Sequence, residues 1–589
     1  MGAFFLYKTQ SPVNINAVKS LFCAKGFIFP PLLYEFGSWT LLHYRKQLIP
    51  HESFNVIQSC TSLFAVGTFV YKRYGLRKSL EVALADYCAG QLDKEAFLGA
   101  YALLFIKNEH IAFLTDRMNL FHVFTNDDNS IFGSSFAAIL KASQQKFRLN
   151  IPAVIENVLT GYIIAPDTIV HGVHLVDDSY RRTINIQNLS FLHHSLSDLQ
   201  IEPLHNTSFE DCVDEQVMQL DCYFSSFNNL VKEMGGLDIG LSGGYDSRLL
   251  LLMAKRHFKK VYAHSHFHSV ITSDEICAEK ISLAVDVPLY RCAEAKQATE
   301  MGIEEFESNI ENISVFNDAR VIHDYSWLLY FRTRWYREAV LRDTRFGMNG
   351  LAGELYRNHD NHCYHKVKVR DWVKARVLTP GSSISVSLKM LNDNLDYFLA
   401  KAGITLGIDL SCYITHYNTR RYYGELFSVY GAAVRMNIDN QLAFSLSPFL
   451  DYGPRIASYQ ILPHVGLDAR FEAAMIFCMN PSVAAIISDY GYSFDKREPL
   501  SRLAKCAIRG LVPYKLQNII STIRFDKTIP ISKTFETVCK LPLVLRAIEL
   551  MKSPCFGLNI DQAAHNETLV MRIISIGIML LKYDDCIEY

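Results

Sequence analysis

Residues 237–253 read LDIGLSGGYDSRLLLLM, and this stretch decides the fold of the chain around it. It begins with the apolar run 237–241 and ends with the helical stretch 249–253, and glycines and serines stand between the two. An apolar strand, a tight polar turn and a helix in this order begin a strand–loop–helix–strand unit. The stretch therefore predicts a parallel sheet with helices packed on it.

The turn between the two runs has the chemistry of an anion site. Gly243 and Gly244 let the backbone approach a ligand with its N–H groups turned inward, while Ser242 and Ser247 add hydroxyl donors. The helix that follows presents the positive end of its dipole. Because Asp246 would repel an anion, we expect it to hold a Mg²⁺ ion that bridges phosphate groups. An ordinary strand-to-helix turn is the alternative, since Gly and Ser are common turn residues.

Sequence on either side of this turn extends the prediction of an α/β fold. Apolar residues between Val213 and Phe227 recur at helical spacing, and residues 260–264 have the composition of a second strand. From about Phe306 onward, long helical patterns rich in aromatic residues predominate. They predict a helical layer around the parallel sheet.

The first part of the chain has a different texture, in which short apolar and β-branched runs are separated by polar turns. This pattern is typical of antiparallel strands. The predicted strands are residues 103–106, 111–115, 130–133, 159–164, 174–176 and 182–186. The charged segment 195–208 is interpreted as a connection. We therefore expect an antiparallel β-rich domain at 1–195, an α/β domain at 209–520 and a C-terminal helical extension at 521–589.

Composition excludes several classes of protein. The 589 residues are 49% hydrophobic and 20% charged, which describes a globular chain with large cores. Lys and Arg (59) nearly balance Asp and Glu (60), so no global field favours nucleic acid or an anionic membrane. The start lacks the pattern of a signal peptide, and the apolar stretch 569–581 is interrupted by Arg572 and too short to span a bilayer. The fourteen cysteines lack CxxC pairs, which favours reduced thiols and a cytoplasmic protein.

The turn resembles the SGGxDS loop of the PP-loop ATP pyrophosphatases, in the form common among asparagine synthetase-like proteins. The absence of GxxxxGK[ST] disfavours a Walker-type phosphate site. A Ser-Asp pair that the family keeps beside the nucleotide has a counterpart here at the start of a predicted helix, although a helix N-cap explains it equally well. The resemblance implies that ATP contacts Leu241, Ser242, Gly243, Gly244, Tyr245, Asp246, Ser247, Arg248, Ser273, Asp274 and Gly350.

Residues 347–357, GMNGLAGELYR, resemble a diverged GEGxDELF segment of the same family. Gly353 stands where the family has Asp, and Gly350 stands in place of its earlier Glu. Glu354 is the carboxylate left to act as acid–base group or, with Asp246, as a Mg²⁺ ligand. Lys496 is a candidate for stabilising developing negative charge.

Segment 446–451 resembles the family's RVPFLD segment, for which we expect an architectural role with Asp451 as an N-cap or turn residue.

Residues 114–124 and 132–135 resemble segments of the class II glutamine amidotransferase domain, which implies an Ntn-hydrolase-like fold at the front of the chain. That domain hydrolyses glutamine with a Cys that follows the initiator Met. Residue 2 is Gly, and we expect the next cysteine, Cys23, to be a core residue. No glutaminase activity is expected by this mechanism, and the front domain would brace the rest.

Together these resemblances imply an ATP-dependent, amide-forming ligase that makes an acyl-adenylate. The acid would be a small-molecule, sugar-acid or peptide carboxylate, and the nitrogen would come from ammonia or from an amine of the same substrate, as in β-lactam synthetases and lasso-peptide cyclases. A catalytically inactive nucleotide-binding relative is the main alternative. A tRNA-thiolating enzyme would need paired cysteines and a basic surface. We expect no nucleic-acid or membrane partner, and a homodimer is compatible with the resemblance.

Overall fold

The computed structural model describes most of the chain. Described are residues 2–51, 54–58, 60–194, 201, 203–266, 273–292, 300–320, 341, 344–358, 366–379, 381–382, 385–409, 411–466, 468–513, 516, 533–563 and 566–589. Parts of the predicted connection (195–200 and 202) and of the predicted C-terminal extension (521–532) lie outside these residues.

Two mainly antiparallel sheets lie in the N-terminal region (residues 2–194) and a parallel sheet lies in the C-terminal region (residues 203–589). The mixed α/β class predicted from the sequence is confirmed at this level. The strands are β1 Ala3–Lys8, β2 Leu32–Phe36, β3 Trp39–Tyr44, β4 Asn55–Ile57, β5 Thr61–Tyr71, β6 Phe97–Lys107, β7 His110–Thr115, β8 Phe124–Asn126, β9 Ile131–Gly133, β10 Phe147–Arg148, β11 Val173–Leu175, β12 Leu189–Phe191, β13 Leu237–Gly240, β14 Val261–His266, β15 Leu289–Cys292, β16 Phe346–Met348, β17 Phe444–Leu446 and β18 Ile587–Glu588.

Helices cover both regions. The α-helices are Ile15–Ala24, Leu76–Cys88, Phe136–Ala142, Ile151–Thr160, Asp178–Thr183, Phe209–Ser225, Asn228–Glu233, Tyr245–His257, Ser273–Ala284, Ile303–Phe316, Val369–Arg376, Leu388–Leu406, His416–Arg421, Ala433–Leu442, Tyr452–Gln460, Arg470–Met479, Pro481–Ala484, Leu500–Leu511, Lys533–Val538, Pro542–Met551, Ile560–Ala563 and Glu567–Lys582. A π-helix, Tyr422–Ala432, runs directly into Ala433–Leu442. Short 3₁₀ helices are Lys94–Ala96, Gly353–Tyr356, Pro448–Leu450 and Leu462–His464.

The two N-terminal sheets pack face to face. Their strand orders are β11-β8-β9-β1-β3-β2 and β12-β7-β6-β5-β4. Aromatic side chains from the two sheets meet between them, with ring centroids 5.7 Å apart for Phe4 and Phe113 and 4.6 Å apart for Tyr34 and Phe64. The antiparallel pairing of β6 with β7 confirms the strands predicted at 103–106 and 111–115, and β9 confirms the strand predicted at 130–133.

Two of the predicted strands are wrong. Residues 159–164 fall at the end of the helix Ile151–Thr160, which Asn150 caps at its start and Gly161 (φ 94°) terminates. Residues 182–186 overlap the helix Asp178–Thr183, capped by Asp177. In both cases the capping side chain satisfies an amide at the start of the helix, and this local signal decides the structure of an apolar run that is ambiguous by periodicity.

The sheet in the C-terminal region is parallel, as the sequence pattern predicts, and the structure gives its strand order as β15-β14-β13-β16-β17. The strand β13 is central, because β14 pairs with one of its edges and β16 with the other. After β13, the chain adds β14 and β15 on one side of this strand and later adds β16 and β17 on the other side. The carboxyl end of β13 lies at the point where the direction changes.

The helices predicted around the sheet are confirmed in the described residues. Phe209–Ser225 buries Val213, Val217 and Leu220 on one face, and Tyr245–His257 follows β13. Glu567–Lys582 is buried along most of its length. Among the residues that the structure describes, no helix is both long and apolar enough to cross a membrane.

Buried polar side chains join the N-terminal region to the C-terminal region. The Lys46 ammonium donates to the carbonyl oxygens of Asn440 (2.7 Å) and Ala443 (3.0 Å) and so caps the end of the helix Ala433–Leu442. Asp451 caps the helix that follows it, as expected, and also accepts from the amide of Gly99 (2.7 Å). These contacts fix the position of the helical layer on the front sheets.

Replacement of Lys46 by methionine should weaken this junction. The variant keeps most of the side-chain volume but leaves buried carbonyl oxygens without a donor, which costs about 2–3 kcal/mol in free energy of unfolding. Urea denaturation followed by tryptophan fluorescence measures the loss. Lys78→Met, at an exposed position of Leu76–Cys88, is the matched control and should stay within about 0.5 kcal/mol of the unmodified protein. Equal stability of the two variants would contradict the role of Lys46.

Candidate functional site

The predicted phosphate loop (residues 241–247) lies at the carboxyl end of β13. The strand ends at Gly240, and the Leu241 amide continues its ladder by donating to the His264 carbonyl at 2.8 Å. The helix begins at Tyr245, and Gly244 in the N-cap position provides no side-chain acceptor for the first amides. The start of a helix without a capping side chain has amide donors available for an anion.

Hydroxyl groups hold the loop in shape. The Ser242 amide donates to Ser247 Oγ (3.1 Å), and the two serine hydroxyl oxygens lie 2.9 Å apart. The Gly244 amide donates to Ser242 Oγ at 3.3 Å. The serines therefore close the turn on itself, in addition to lining the cavity that lies beside it.

Gly243 is the most tightly enclosed residue of the loop. A Cβ at this position would lie 2.9 Å from the Cβ of Cys277 and 3.0 Å from Asp274 Oδ1. The Gly243 amide donates to Asp274 Oδ1 at 2.7 Å. The structure thus brings Asp274 to the loop, whereas its predicted partner Ser273 is exposed at the start of Ser273–Ala284.

Tyr245 and Arg248 pack on the side of the loop that faces away from the cavity. The Arg248 guanidinium is fully buried and donates to the carbonyl oxygens of Val483 (3.1 Å) and Gly243 (3.1 Å). The Tyr245 ring stacks on Phe494 with centroids 3.7 Å apart. Both side chains therefore point into the protein, and neither lines the cavity.

The diverged second motif packs directly against Asp246. It follows β16, which places Gly350 and the turn Gly353–Tyr356 beside the loop. A Cβ at Gly350 would lie 3.0 Å from the carbonyl carbon of Asp246, and a Cβ at Gly353 would lie 2.7 Å from the Cβ of Asp246 and closer still to its Oδ1. Larger residues at these two positions would have to displace Asp246.

Three carboxyl groups surround the guanidinium of Arg357. Arg357 Nη1 lies 2.8 Å from Asp246 Oδ1 and 2.5 Å from Glu472 Oε2, while Nη2 lies 3.0 Å from Asp246 Oδ2. Glu354 Oε1 is 4.0 Å from Nη2. The sequence alone assigns no role to Arg357 or Glu472. The only signal for Glu472 is an acidic residue inside the apolar run FEAAMIF of Arg470–Met479.

Burial and the charge of Asp246 raise the pKa of two of these carboxyl groups, Glu472 and Glu354. Burial raises the pKa of Glu472 well above its ordinary value, and the charge of Asp246 raises it further. The same two causes raise the pKa of Glu354. For Arg357, burial lowers the pKa, but the charges of Glu472 and Asp246 outweigh it and hold the pKa well above the ordinary value. The guanidinium is therefore the fixed charge of the cluster.

Asp246 and Glu354, the expected Mg²⁺ ligands, both lie beside Arg357. Arg357 already occupies both carboxylate oxygens of Asp246. Among the described residues, no three His, Cys, Asp or Glu side chains are arranged to hold a metal ion. The positive charge next to the loop is an arginine.

A cavity of about 560 Å³ extends from the loop across one face of the parallel sheet. Its floor contains a hydrogen-bonded pair that the sequence did not reveal, in which His264 Nδ1 lies 2.6 Å from Asp238 Oδ2. The opposite wall is the π-helix and the helix after it, which contribute Phe427, Gly431, Ala432, Arg435, Met436, Asp439 and Leu442. Ser242, Asp246, Ser247, Gly350 and Glu354 line the same cavity.

Lys496 is not brought to this cavity. It is exposed on the segment between Phe494 and the helix Leu500–Leu511 and makes no hydrogen bond or ion pair with a described residue. The neighbouring residues Asp489 and Tyr490 do approach the loop, at 3.1 Å from a Cβ at Gly243 and 3.8 Å from a Cβ at Gly244.

The position of the expected amidotransferase nucleophile is closed. Gly2 is buried, and a Cβ there would lie 2.8 Å from the Phe27 ring and 2.9 Å from the carbonyl oxygen of Gln441. The prediction that Cys23 is a core residue is wrong, since it is exposed. The helix Ile15–Ala24 buries Leu21 and Phe22, and the next position turns about 100° away from that face.

No protein-family model matches the chain, and no curated protein is significantly similar to it. The functional interpretation therefore depends on the residues and geometry of the site.

Glu472→Gln should change how stability depends on pH. Because the folded pKa of Glu472 lies above its unfolded value of about 4.5, the folded state loses stability as pH rises through that interval. Because glutamine does not ionise, the variant does not lose stability in this interval. Relative to the unmodified protein, the free energy of unfolding of the variant should rise by about 1.4 kcal/mol for each pH unit inside the interval. Urea denaturation at about pH 5 and about pH 8 measures the difference.

Glu549→Gln, at an exposed position of Pro542–Met551, is the control for removing a carboxyl group. It should leave the pH dependence of stability as it is. A constant difference between Glu472→Gln and the unmodified protein across the range would mean that Glu472 has the same pKa in the folded and unfolded states, which would contradict the raised folded pKa.

Proposed function

We propose that the chain is an ATP-dependent ligase that activates a carboxylate as an acyl-adenylate, releases pyrophosphate and transfers the acyl group to a nitrogen nucleophile. The observation that carries this proposal is the place of the phosphate loop, at the carboxyl end of the central strand β13 between β14 and β16. Ligands of open parallel sheets bind in the crevice at such a switch point. The loop sequence, which resembles a PP-loop, selects a diphosphate as the ligand.

The finer features of the fold belong to the same proposal. We assign the C-terminal region to a PP-loop domain and the N-terminal sheets to an amidotransferase-like, Ntn-hydrolase-like domain. The support is the order of β13 to β17 and the face-to-face packing of the two front sheets. The motifs at 114–124, 241–248 and 347–357 lie along the chain in the order that this arrangement requires.

The cavity suits a nucleotide together with an acid. Its volume of about 560 Å³ lies within the usual range for ligand sites, about 300–1,000 Å³. Met348, Leu442 and Phe444 supply apolar surface for a base or an acyl group, and polar residues lie on the floor and at the loop. The ligand would enter with its phosphates at residues 242–247.

The chemistry needs two steps. In the first, an oxygen of the substrate carboxylate bonds to the α-phosphorus of ATP, the bond from that phosphorus to the bridging oxygen breaks, and pyrophosphate leaves. In the second, nitrogen bonds to the acyl carbon, AMP leaves, and the nitrogen gives up a proton. We assign proton acceptance to Glu354, because it lines the cavity and burial raises its pKa, which makes its carboxylate a stronger base. Mg²⁺ enters as part of the MgATP substrate.

The proposal covers the acid and the nitrogen donor by chemical class. The acid is a small-molecule, sugar-acid or peptide carboxylate, and the nitrogen comes from ammonia or from an amine of the same molecule. The crowding at Gly2 argues against glutamine as the donor. A second candidate, a relative that binds nucleotide without catalysis, is favoured by Gly350 and Gly353, where side chains that could act are missing.

ATP–pyrophosphate exchange tests the adenylation step. With a panel of carboxylic acids, the unmodified protein should exchange labelled pyrophosphate into ATP for at least one acid. Asp246→Ala should lower the exchange rate by about 100-fold or more, because it removes a side chain that touches the loop, Gly353 and Arg357. Asp495→Ala, an exposed carboxyl group outside the cavity, is the matched control and should exchange normally.

The three outcomes separate the candidates. Exchange that depends on an acid and on Asp246 supports the ligase. Nucleotide binding without exchange for any acid supports the inactive relative, and absence of nucleotide binding excludes both.

Nitrogen-donor preference provides a separate test. Once an exchanging acid is known, ammonium salts or an internal amine should support amide formation, measured as AMP release and product mass. Glutamine should give no more product than the reaction without a donor, because position 2 has no space for a nucleophilic side chain. Glutamine-dependent product would refute this account of the N-terminal region.

A further inference from the structure

The phosphate loop has no basic side chain of its own that faces the cavity. Arg248 is directed into the protein, where carbonyl oxygens accept its N–H groups. A diphosphate carries several negative charges, and binding sites for such groups supply positive charge close by. The arginines nearby are Arg435, which lines the opposite wall of the cavity, and Arg357, which contacts the loop itself through Asp246.

Arg357 is placed to provide this positive charge. Its guanidinium contacts Asp246 of the loop through two parallel hydrogen bonds of 2.8 and 3.0 Å, and it lies 5.3 Å from the centre of the Tyr245 ring. The side chains of Asp246 and Glu354 next to it keep 21% of their surface exposed, toward the cavity that both of them line. The arginine is therefore one carboxylate away from the ligand space.

The turn that carries Arg357 is held firmly. The Arg420 guanidinium donates to the carbonyl oxygens of Leu355 and Arg357, the latter at 2.8 Å. Because Arg420 is buried, its hydrogen bonds fix the backbone at 355–357. The Arg357 side chain can therefore change its ion-pair partners without movement of this backbone. Arg420 is a positioning residue in this arrangement.

The excess of carboxyl groups around Arg357 favours the exchange of one of its ion-pair partners for a ligand. One guanidinium faces three carboxyl groups, Asp246, Glu354 and Glu472, so removal of one contact leaves others in place. The planar fork of arginine binds phosphate oxygens with the same two-pronged geometry that it uses for a carboxylate. A diphosphate at the loop would meet this fork next to Asp246.

We propose that Arg357 is the built-in cation of the phosphate loop, which binds the diphosphate of ATP and stabilises it as the leaving group, in part replacing a protein-bound magnesium ion. This inference deepens the proposed function and rests on it for the identity of the ligand. It predicts that the site binds a diphosphate even when no divalent cation is present.

Calorimetric titration with inorganic pyrophosphate, in EDTA and then in excess Mg²⁺, tests the proposal. The unmodified protein should bind pyrophosphate in EDTA. Arg357→Met should weaken this binding by about 10- to 100-fold, the usual size for loss of a charge-assisted pair, and Arg357→Lys should fall between the two. Arg502→Met, which removes a half-exposed arginine paired with Glu498, should bind as the unmodified protein does.

A second variant controls for misfolding, because Arg357→Met leaves the carboxyl groups of Asp246, Glu354 and Glu472 without their cationic partner. Arg357→Met combined with Glu472→Gln lowers the excess negative charge and should still bind pyrophosphate weakly. The proposal is overturned if either variant binds within about threefold of the unmodified protein, if Arg357→Met binds more tightly, or if the unmodified protein binds pyrophosphate only with Mg²⁺.

The failures of the two proposals are distinguishable. Acid-dependent exchange together with normal pyrophosphate binding by Arg357→Met would remove the role of Arg357 and leave the ligase standing. Arginine-dependent pyrophosphate binding without exchange for any acid would do the reverse. A protein that binds neither ATP nor pyrophosphate would overturn both.

Discussion

The space around Asp246 is the constraint on which the site depends. The turn after β16 and the helix Arg470–Met479 converge on this side chain, and the turn can approach it because Gly350 and Gly353 have no Cβ. Close packing of backbone against a charged side chain requires compensation, since a buried carboxylate without a partner is costly. Arg357 supplies that compensation. Gly350 and Gly353 thus leave the room in which Asp246 meets Arg357.

Local signals in the sequence are sufficient for β13, for the loop and helix that follow it and for β14, whereas β15, β16 and β17 are not predicted from the sequence. Strand, glycine-rich turn and helix follow one another within residues 237–253, so their structure is decided by neighbours. The runs at 159–164 and 182–186 are misassigned when apolar composition is weighed above the caps Asn150 and Asp177. The loop itself is predictable. Arg357, Glu472 and the Asp238–His264 pair are not, because each acquires its meaning from a partner distant in sequence.

The N-terminal region has a mechanical part in this arrangement. Lys46 holds the end of Ala433–Leu442, and Asp451 joins Gly99 to Tyr223 through hydrogen bonds of 2.7 and 2.8 Å. The last strand, β18, returns to pair with β10. A wall of the cavity is therefore anchored on the front sheets.

The π-helix Tyr422–Ala432 gives this wall an unusual sensitivity to length. Its wider turns hold an additional residue relative to an α-helix, and it leads without a break into Ala433–Leu442. Loss of a single residue there would restore ordinary winding and leave Ala433–Leu442 in register, whereas loss of a residue just after Ala432 would rotate the rest of the helix by about 100°. Arg435 and Asp439 would then leave the cavity and other side chains would replace them. The length of this segment thus decides which side chains of the wall face the cavity.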